Sequence, residues 1–458
     1  MKTNYFTITG IRSLILRLLT LILIIGQFCS CKKYLEAKPD QSIATPSTLD
    51  DLEGILNNYS TINARYPSAS EVSSDDFYLV SSDWNSLADA QRNYYVRQKY
   101  ADFVGDYSSP YFAIGYSNVI LDALPGINGD QTRRNIIEGN ARFIRASYHY
   151  SIAQLFAKPY DKSTASTDLG IALRLTSDPA KKPVRSTVAD TYGQLINDLK
   201  MSIPLLPPLP DTKYRASKTA AYGLLARVFL SMRDYNNAGL YADSALALYN
   251  KLIDYNTLSA TATIPFKQFN DEVIYDERGS PPAALLQSKA RIDTLLFASY
   301  ATNDLRRTVL FKSNANGSKA FKGNYTGLSN ATLFTGIATN ELYLIRAETA
   351  ARSGDLTKAL VALNSLLKTR WKTGTFVQVA ATDPNQLMLL ILQERRKDLL
   401  FRSLRWTDLR RLNFESDYKK TLTRNLGGTI YTLDPNSPRY VFQIDQSAVN
   451  ISGLQQNP

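Results

Sequence analysis

The residues of this chain that most directly specify a reaction are Phe28-Cys29-Ser30-Cys31, which follow a basic start and a short apolar run. Lys2, Arg12 and Arg17 supply the basic region, and Leu18 to Ile25 is apolar with only Thr20 interrupting. A cysteine directly after a small residue at the end of such a run reads as a bacterial lipoprotein cleavage site. Cleavage before Cys31 frees an amine and a thiol for acylation. Cys29 fits less well, because Phe28 precedes it and cleavage needs a small residue. A lipobox prefers leucine at the third position before the cysteine, where Phe28 stands. The alternative is a transmembrane anchor, but a span needs about 20 apolar residues, and Arg17 and Gln27 close the run well short of that. Residues 1–30 therefore read as a signal peptide and Cys31 as a lipid anchor. Residues 31–46, polar with Pro39 and Pro46, read as an extended tether.

Scarcity excludes much other chemistry. Cysteine occurs only at 29 and 31, so a body cleaved before Cys31 and lipidated there has no free thiol, disulfide or thiolate metal site. The one histidine, His149, rules out His-rich zinc sites and a Cys-His pair. A Ser-His-Asp triad would have to use it, yet it sits within Arg145-Ala146-Ser147-Tyr148-His149-Tyr150, mid-way along a strong helical pattern, where a packing role is expected. Asp75 and Asp76 invite metal-free glycosidase chemistry, which needs two acids about 5–10 Å apart across a cleft. Neighbours in a loop point apart, so an enzyme is a distant second reading. No EF-hand spacing supports calcium, and no other cofactor is implied. The formal net charge is +12, and loss of residues 1–30 removes three of the positive charges. What remains is scattered, and its tightest clusters, Arg395-Arg396-Lys397 and Arg410-Arg411, lie inside amphipathic patterns. Nucleic-acid binding would want a concentrated stripe or a known module.

The elements that must position any site are mostly helical. Ser47-Thr48-Leu49-Asp50 offers an N-cap to a first helix ending near Tyr59. Residues 60–110 are aromatic-rich and irregularly spaced, which predicts loops. A helix resumes at 111–121 and stops at Pro125-Gly126. Long helices are predicted over 132–156 and, capped by Ser186, over 187–203. Then comes an internal repeat: Ala220, Ala221, Leu224, Ala226 and Leu230 precede the turn Arg233-Asp234-Tyr235, and Ala238, Ala242 and Ala245 follow. A shift of 121 superimposes Ala226 on Ala347, Asp234 on Asp355 and Ala238 on Ala359. Small residues at these points let antiparallel helices approach closely, as in tetratricopeptide hairpins. Helices 132–156 and 187–203 make a degenerate third copy. Residues 250–340 read as loops and short strands, 387–411 as a long helix or broken pair, and 429–433 and 439–444 as extended.

These segments in this order resemble the SusD/RagB family of nutrient-binding outer-membrane lipoproteins from the Bacteroidetes. The resemblance rests on Cys31-Lys32-Lys33-Tyr34-Leu35-Glu36 with Pro39, and on Gly139-Asn140-Ala141-Arg142-Phe143-Ile144-Arg145-Ala146. It continues through Arg185-Ser186-Thr187-Val188, Ala226-Arg227-Val228-Phe229-Leu230 and Asn303-Asp304-Leu305-Arg306-Arg307. It ends with Glu341-Leu342-Tyr343-Leu344-Ile345-Arg346-Ala347-Glu348, Glu394-Arg395-Arg396-Lys397-Asp398-Leu399, Arg405-Trp406-Thr407-Asp408-Leu409-Arg410-Arg411 and the final Gln456-Asn457-Pro458. The chain departs from the family at Asp398-Leu399 (usually Glu-Leu), at Arg402-Ser403-Leu404 (usually Glu-Gly-His) and at Ile444-Asp445 (usually Ile-Pro). It is also short for the family, which implies trimmed surface loops.

The resemblance implies a mostly α fold, with tetratricopeptide-like hairpins as a scaffold over residues 47–458 and loop-rich regions 60–110 and 250–340 carrying the ligand surface. It implies capture and not catalysis: a surface lipoprotein that seats on a SusC-type TonB-dependent transporter and binds a glycan, an oligosaccharide or sometimes a peptide. A scaffold that only docks a partner protein is a third reading. Sugar recognition needs flat aromatic faces and hydroxyl-bonding side chains, and the richest reservoir is 75–107. Trp84, among Ser81, Ser82, Asp83 and Asn85, is the first candidate platform, followed by Tyr78, Tyr94 and Tyr275. Trp371 and Trp406 fall in helical patterns and are expected to pack. Glu394, Arg395, Arg396, Asp408 and Arg410 are expected to form an ion-pair network joining helices.

Overall fold

The computed structural model describes residues 46–458 apart from 101–104, 280–281 and 329–331. The signal peptide, Cys31 and nearly all of the tether lie outside the described residues. Helix α1 (Leu49–Asn57) begins at a capping box: Thr48 Oγ1 accepts from the Asp51 amide at 3.1 Å, and the Asp51 carboxylate accepts from the Thr48 amide at 2.9 Å.

Residues 60–110 are not the loops that their spacing predicts. They hold α2 (Tyr59–Ile62), α3 (Ala69–Val72), strand β1 (Phe77–Tyr78), α4 (Ser81–Asn85), α5 (Asp89–Val96) and the start of α6 (Gly105–Ala123). Helices of one or two turns are too short for a 3.6-residue period to accumulate. The aromatic residues that look irregular in sequence turn inward, with Phe77, Tyr94, Tyr95 and Tyr107 all buried.

Helices α7 (Gln131–Phe156) and α8 (Val188–Leu205) bracket the antiparallel pair β2 (Leu169–Ala172) and β3 (Arg185–Thr187). Thr187, not Ser186, caps α8: its hydroxyl accepts from the Asp190 amide at 3.0 Å, while Ser186 donates to Ile171 O of β2 at 2.9 Å. The first hairpin pairs α9 (Lys218–Ser231) with α10 (Tyr235–Leu248). Residues 250–340 are loops and short elements as expected: β4 (Val273–Tyr275), β5 (Arg278–Gly279), β6 (Arg291–Ile292), α11 (Thr294–Ala298), α12 (Arg306–Val309), β7 (Phe311–Ser313), β8 (Lys319–Phe321), β9 (Leu333–Phe334) and β10 (Ile337–Ala338). They form two-stranded ladders, β1 with β6, β4 with β10, β5 with β9 and β7 with β8.

The second hairpin pairs α13 (Thr339–Arg352) with α14 (Leu356–Lys368). The repeat holds at the level of single atoms. Asp234 caps α10 by accepting from Asn237 N at 3.1 Å, and Asp355 caps α14 by accepting from Lys358 N at 2.9 Å. The preceding turn residue is left-handed in both copies, Arg233 with φ 62° and Gly354 with φ 84°. Close approach between helices also shows in the glycines: a β-carbon on Gly239 of α10 would stand 2.8 Å from Thr349 Oγ1 of α13.

The predicted long helix or broken pair after the second hairpin is a broken pair, α15 (Pro384–Asp398) and α16 (Arg405–Leu412). The break contains Phe401 and Ser403 with φ 56° and 57°. Trp371 lies past the end of α14, bridging to Asp304, so its helical assignment is corrected; it still packs against the smaller apolar cluster around α13 to α15. Strands β11 (Leu422–Leu426) and β12 (Thr429–Leu433) form a hairpin closed by Gly427 and Gly428, with φ 58° and 89°, the conformation that a two-residue primed turn requires. The 439–444 stretch is not a strand: a 3-10 turn covers Pro438–Tyr440, and irregular chain leads to α17 (Gln446–Ser452). The last residues return to α7, where Asn457 Nδ2 donates to Phe156 O at 2.9 Å and to Phe442 O at 2.7 Å. Among the described residues no helix is long and apolar enough to cross a membrane.

Candidate functional site

Two of the four aromatic residues proposed from sequence are not available to a ligand. Tyr94 is 3% exposed and packs edge-on against Phe442 with ring centroids 5.2 Å apart. Tyr275 is 1% exposed in the fully buried β4, its ring 4.7 Å from that of Phe143. Residue type cannot say which way a ring faces, and both serve the core. Tyr78 and Trp84 are half-buried. The Trp84 indole donates to Arg92 O at 3.1 Å, its ring is 6.5 Å from that of Tyr431 on β12, and the Arg92 guanidinium stands 5.8 Å from it. Beside it Asp83 pairs with Arg291 at 2.5 Å. Trp84 and Tyr431 thus make a shallow ledge held by polar groups.

The acids and the histidine do not assemble into catalytic machinery. Asp75 pairs with Arg405 at 2.6 Å and Lys420 at 2.9 Å, and Asp76 pairs with Arg396 at 2.7 Å. The arginines around Asp75 hold its carboxyl well below the usual range against the opposing effect of burial. His149 is fully buried, and burial pushes its pKa down to about 3, so the ring is neutral. Its Nε2 accepts from the Arg174 amide at 3.4 Å. Among the described residues no group of three or more His, Cys, Asp or Glu is placed to hold a metal.

The expected ion network joins helices, and it is larger than its sequence signature. Arg395 pairs with Asp408 at 2.8 Å, Arg411 pairs with Glu348 at 2.5 Å and Asp408 at 2.8 Å, and Arg306 meets Asp304, Glu394 and Asp398 at 2.7, 2.5 and 3.0 Å. Arg370 closes it onto Glu272 at 2.8 Å and Asp398 at 2.9 Å. Arg410 is the exception. It makes no ion pair among the described residues and donates to the Ala153 carbonyl at 3.4 Å and to the Ala157 carbonyl, at the end of α7.

Arg410 stands in the wall of a cleft of about 950 Å³ built from residues 158–169, 410–414, 436–441 and 455–458. The volume lies in the range of small-ligand sites. Phe414 is 38% exposed in this wall, and the Arg233 guanidinium lies 3.7 Å from its ring centroid. Lys158 pairs with Asp168 at 2.5 Å, and Thr164 Oγ1 donates to the same carboxylate at 2.6 Å. Asn413, Asn436, Ser437 and Gln455 add side chains able to bond hydroxyls. Burial lowers the Arg410 pKa only to about 10, so it stays charged at neutral pH. An exposed aromatic face ringed by hydrogen-bonding groups is what a pyranose needs: apolar C–H edges on the ring and hydroxyls on the rim. Sequence reading misses this site because its walls come from four distant segments. The one local signal is Phe414, an aromatic just past α16 that keeps 38% of its surface exposed with the Arg233 guanidinium over one face.

The family model described as starch-binding, associating with outer membrane, matches residues 33–230, and the SusD family model matches residues 304–458. The chain belongs to the SusD/RagB family. The fold agrees: solved structures with it include a SusD superfamily protein from Bacteroides thetaiotaomicron, 22% identical over 90% of this chain and 100% of that one, with a TM-score of 0.73. Surface glycan-binding protein A from Bacteroides fluxus is 18% identical over 90% and 100%, with a TM-score of 0.69, and a laminarin-binding SusD-like protein is 16% identical over 90% and 100%, with a TM-score of 0.65. A search of curated proteins finds no match. For this SusD/RagB member the two matched regions supply all four walls of the cleft, residues 158–169 from the first and the remainder from the second.

Proposed function

We propose that this protein is a surface lipoprotein of the outer membrane that captures a glycan and hands it to a SusC-type TonB-dependent transporter. The observation that carries the reading is the cleft of about 950 Å³ with the Phe414 ring exposed in its wall among hydroxyl-bonding side chains. The surface glycan-binding protein from Bacteroides fluxus and the laminarin-binding SusD-like protein support a saccharide over a peptide. The Trp84–Tyr431 ledge is a second, shallower contact for a long chain. Acylation of Cys31 supplies the anchor and residues 31–46 the tether. The role is binding without turnover: the carboxylates first suspected of hydrolysis, Asp75 and Asp76, are committed to arginines.

Titration calorimetry against a glycan panel tests capture, with chromatography of the same mixtures after long incubation. Binding with no released product supports the reading, and steady product release overturns it. Labelling with a palmitate analogue tests the anchor: the native chain should take up label and Cys31→Ser should not.

A further inference from the structure

We propose that the outward face of α6 is a further saccharide contact, in which the Phe112 and Tyr116 rings carry a stretch of neutral glycan outside the cleft. The inference rests on the glycan-binding reading and adds to it a site that shares no lining residue with the cleft.

The three most exposed aromatic side chains among the described residues are Phe112 at 59%, Tyr116 at 39% and Phe414 at 38%. Two of the three stand on one helix. Four residues apart, Phe112 and Tyr116 lie on the same face, one turn above the other. The helix has its own buried side as well, with Ala113, Ile114, Ser117 and Ile120 in the interior. No charged residue occurs from Tyr107 to Leu121. A surface helix ordinarily puts polar or charged groups outward, as α8 does with Asn197 and Lys200.

Gly115 adds an independent argument. Glycine in a helix interior is destabilising relative to alanine, and a β-carbon at Gly115 would meet nothing within 4 Å. Packing within the chain therefore does not call for glycine there. Gly115 follows Phe112 by three residues, and helical side chains lean toward the N-terminus. A larger residue at 115 would lie along the Phe112 ring, and glycine keeps that ring bare. Polar groups stand at the edges. The Arg65 guanidinium is 5.5 Å from the Phe112 ring centroid, spends its Nε on Thr61 O at 3.1 Å and makes no ion pair among the described residues. The Tyr116 hydroxyl and the half-exposed Ser109, two turns earlier in line with it, can each donate and accept.

The size of the face selects its occupant. A whole aromatic side chain presents about 150–250 Å², so two at these exposures offer on the order of 200 Å². A stable protein interface takes about 800 Å² from each partner. A helix seated on a membrane carries lysine or arginine on its polar flank, and residues 105–123 hold neither. One or two sugar rings match both the small area and the uncharged helix, with apolar C–H faces on the aromatic rings and hydroxyls on Arg65, Tyr116 and Ser109.

The test is affinity electrophoresis of the full chain through gels holding laminarin, amylopectin, arabinoxylan or galactomannan, with oligomeric state followed by light scattering. At least one polymer should slow the native chain. The double variant Phe112→Ala, Tyr116→Ala and the single variant Gly115→Gln should each weaken that binding about threefold or more, with thermal midpoints no lower than native. Gly115→Gln leaves both rings in place and covers Phe112, so its effect reads access and not folding. Unchanged retardation in either variant overturns the proposal, and loss of retardation in Phe414→Ala then leaves capture by the cleft standing. Retardation by none of the polymers overturns the proposal, and capture stands or falls on calorimetry with oligosaccharides. A native dimer that both variants dissociate gives the face to a second copy of the chain and overturns the proposal as well.

Discussion

Asp75 and Arg405 form a two-pronged ion pair, with Nε 2.6 Å from Oδ1 and Nη2 3.0 Å from Oδ2, across 330 residues of sequence. Lys420 and Arg396 close on the same carboxylate at 2.9 and 3.5 Å. Buried Arg97 and Arg424 bind the carbonyls of Ser73, Ser74 and Phe77. The acidic loop is thus clamped between the N-terminal and C-terminal parts of the body.

Asp75→Asn should therefore cost stability. Breaking a largely buried pair from one side leaves the other charge uncompensated, and the low end of that range, about 3 kcal/mol, applies because the pair is not fully enclosed. Urea unfolding of the two proteins checks it, and a loss below about 1 kcal/mol would show that the clamp is redundant.

The buried acids predict a stability that falls toward alkaline pH. Burial pushes Glu277 up to about 8 from an ordinary 4.5, offset only in part by the Ser147 hydroxyl and the charge of Arg227. A carboxyl that holds its proton in the fold and loses it in the unfolded chain stabilises fully below about 4.5, and that contribution disappears as pH rises through about 8. Asp106 and Asp276, raised by burial to about 6 and about 7, act in the same direction. Unfolding free energies at pH 6 and 9 should show the native chain weakened at pH 9 and Glu277→Gln weakened less. Parallel slopes in the two proteins would remove Glu277 as a cause.

Phe414→Ala should weaken glycan binding about fivefold or more, the effect of deleting an aromatic anchor worth ~1 kcal/mol, without unfolding a residue already 38% exposed. Trp84→Ala should change affinity less for short glycans, because its indole is half-buried and tied to Arg92 O. Calorimetry with short and long oligosaccharides separates the two. A larger loss at Trp84 for short glycans would move the primary site to the ledge.

Arg233→Gly should leave unfolding free energy within about 1 kcal/mol of native. Relief of the left-handed backbone returns roughly 1–2 kcal/mol, and loss of the stack on Phe414 removes ~0.5–1 kcal/mol. Denaturant melts decide the sign, and a drop beyond about 2 kcal/mol would mean the arginine is chiefly structural.

What the sequence made legible was local and periodic. The two hairpins could be read because small residues recur at helical spacing and because the aspartate caps, Asp234 and Asp355, sit at the same offset. Over 387–411 the pattern left a long helix or a broken pair open, and the structure resolves it as the pair. Short helices such as Ser81–Asn85 were not legible, since one turn has no period. The site was the least legible part: composition singled out Tyr94 and Tyr275, whose rings the core absorbs, and passed over Phe414, which stays 38% exposed.

Asn457 ties the last residues to both Phe156 and Phe442, and Arg185 reaches its side chain at 2.8 Å. Residues 455–458 therefore serve at once as fastening and as ligand wall. An affinity handle fused at this end, or a trimmed terminus, would reshape the very surface under study. Immobilisation through an exposed lysine outside the lining, such as Lys368 of α14, keeps that surface native during measurement.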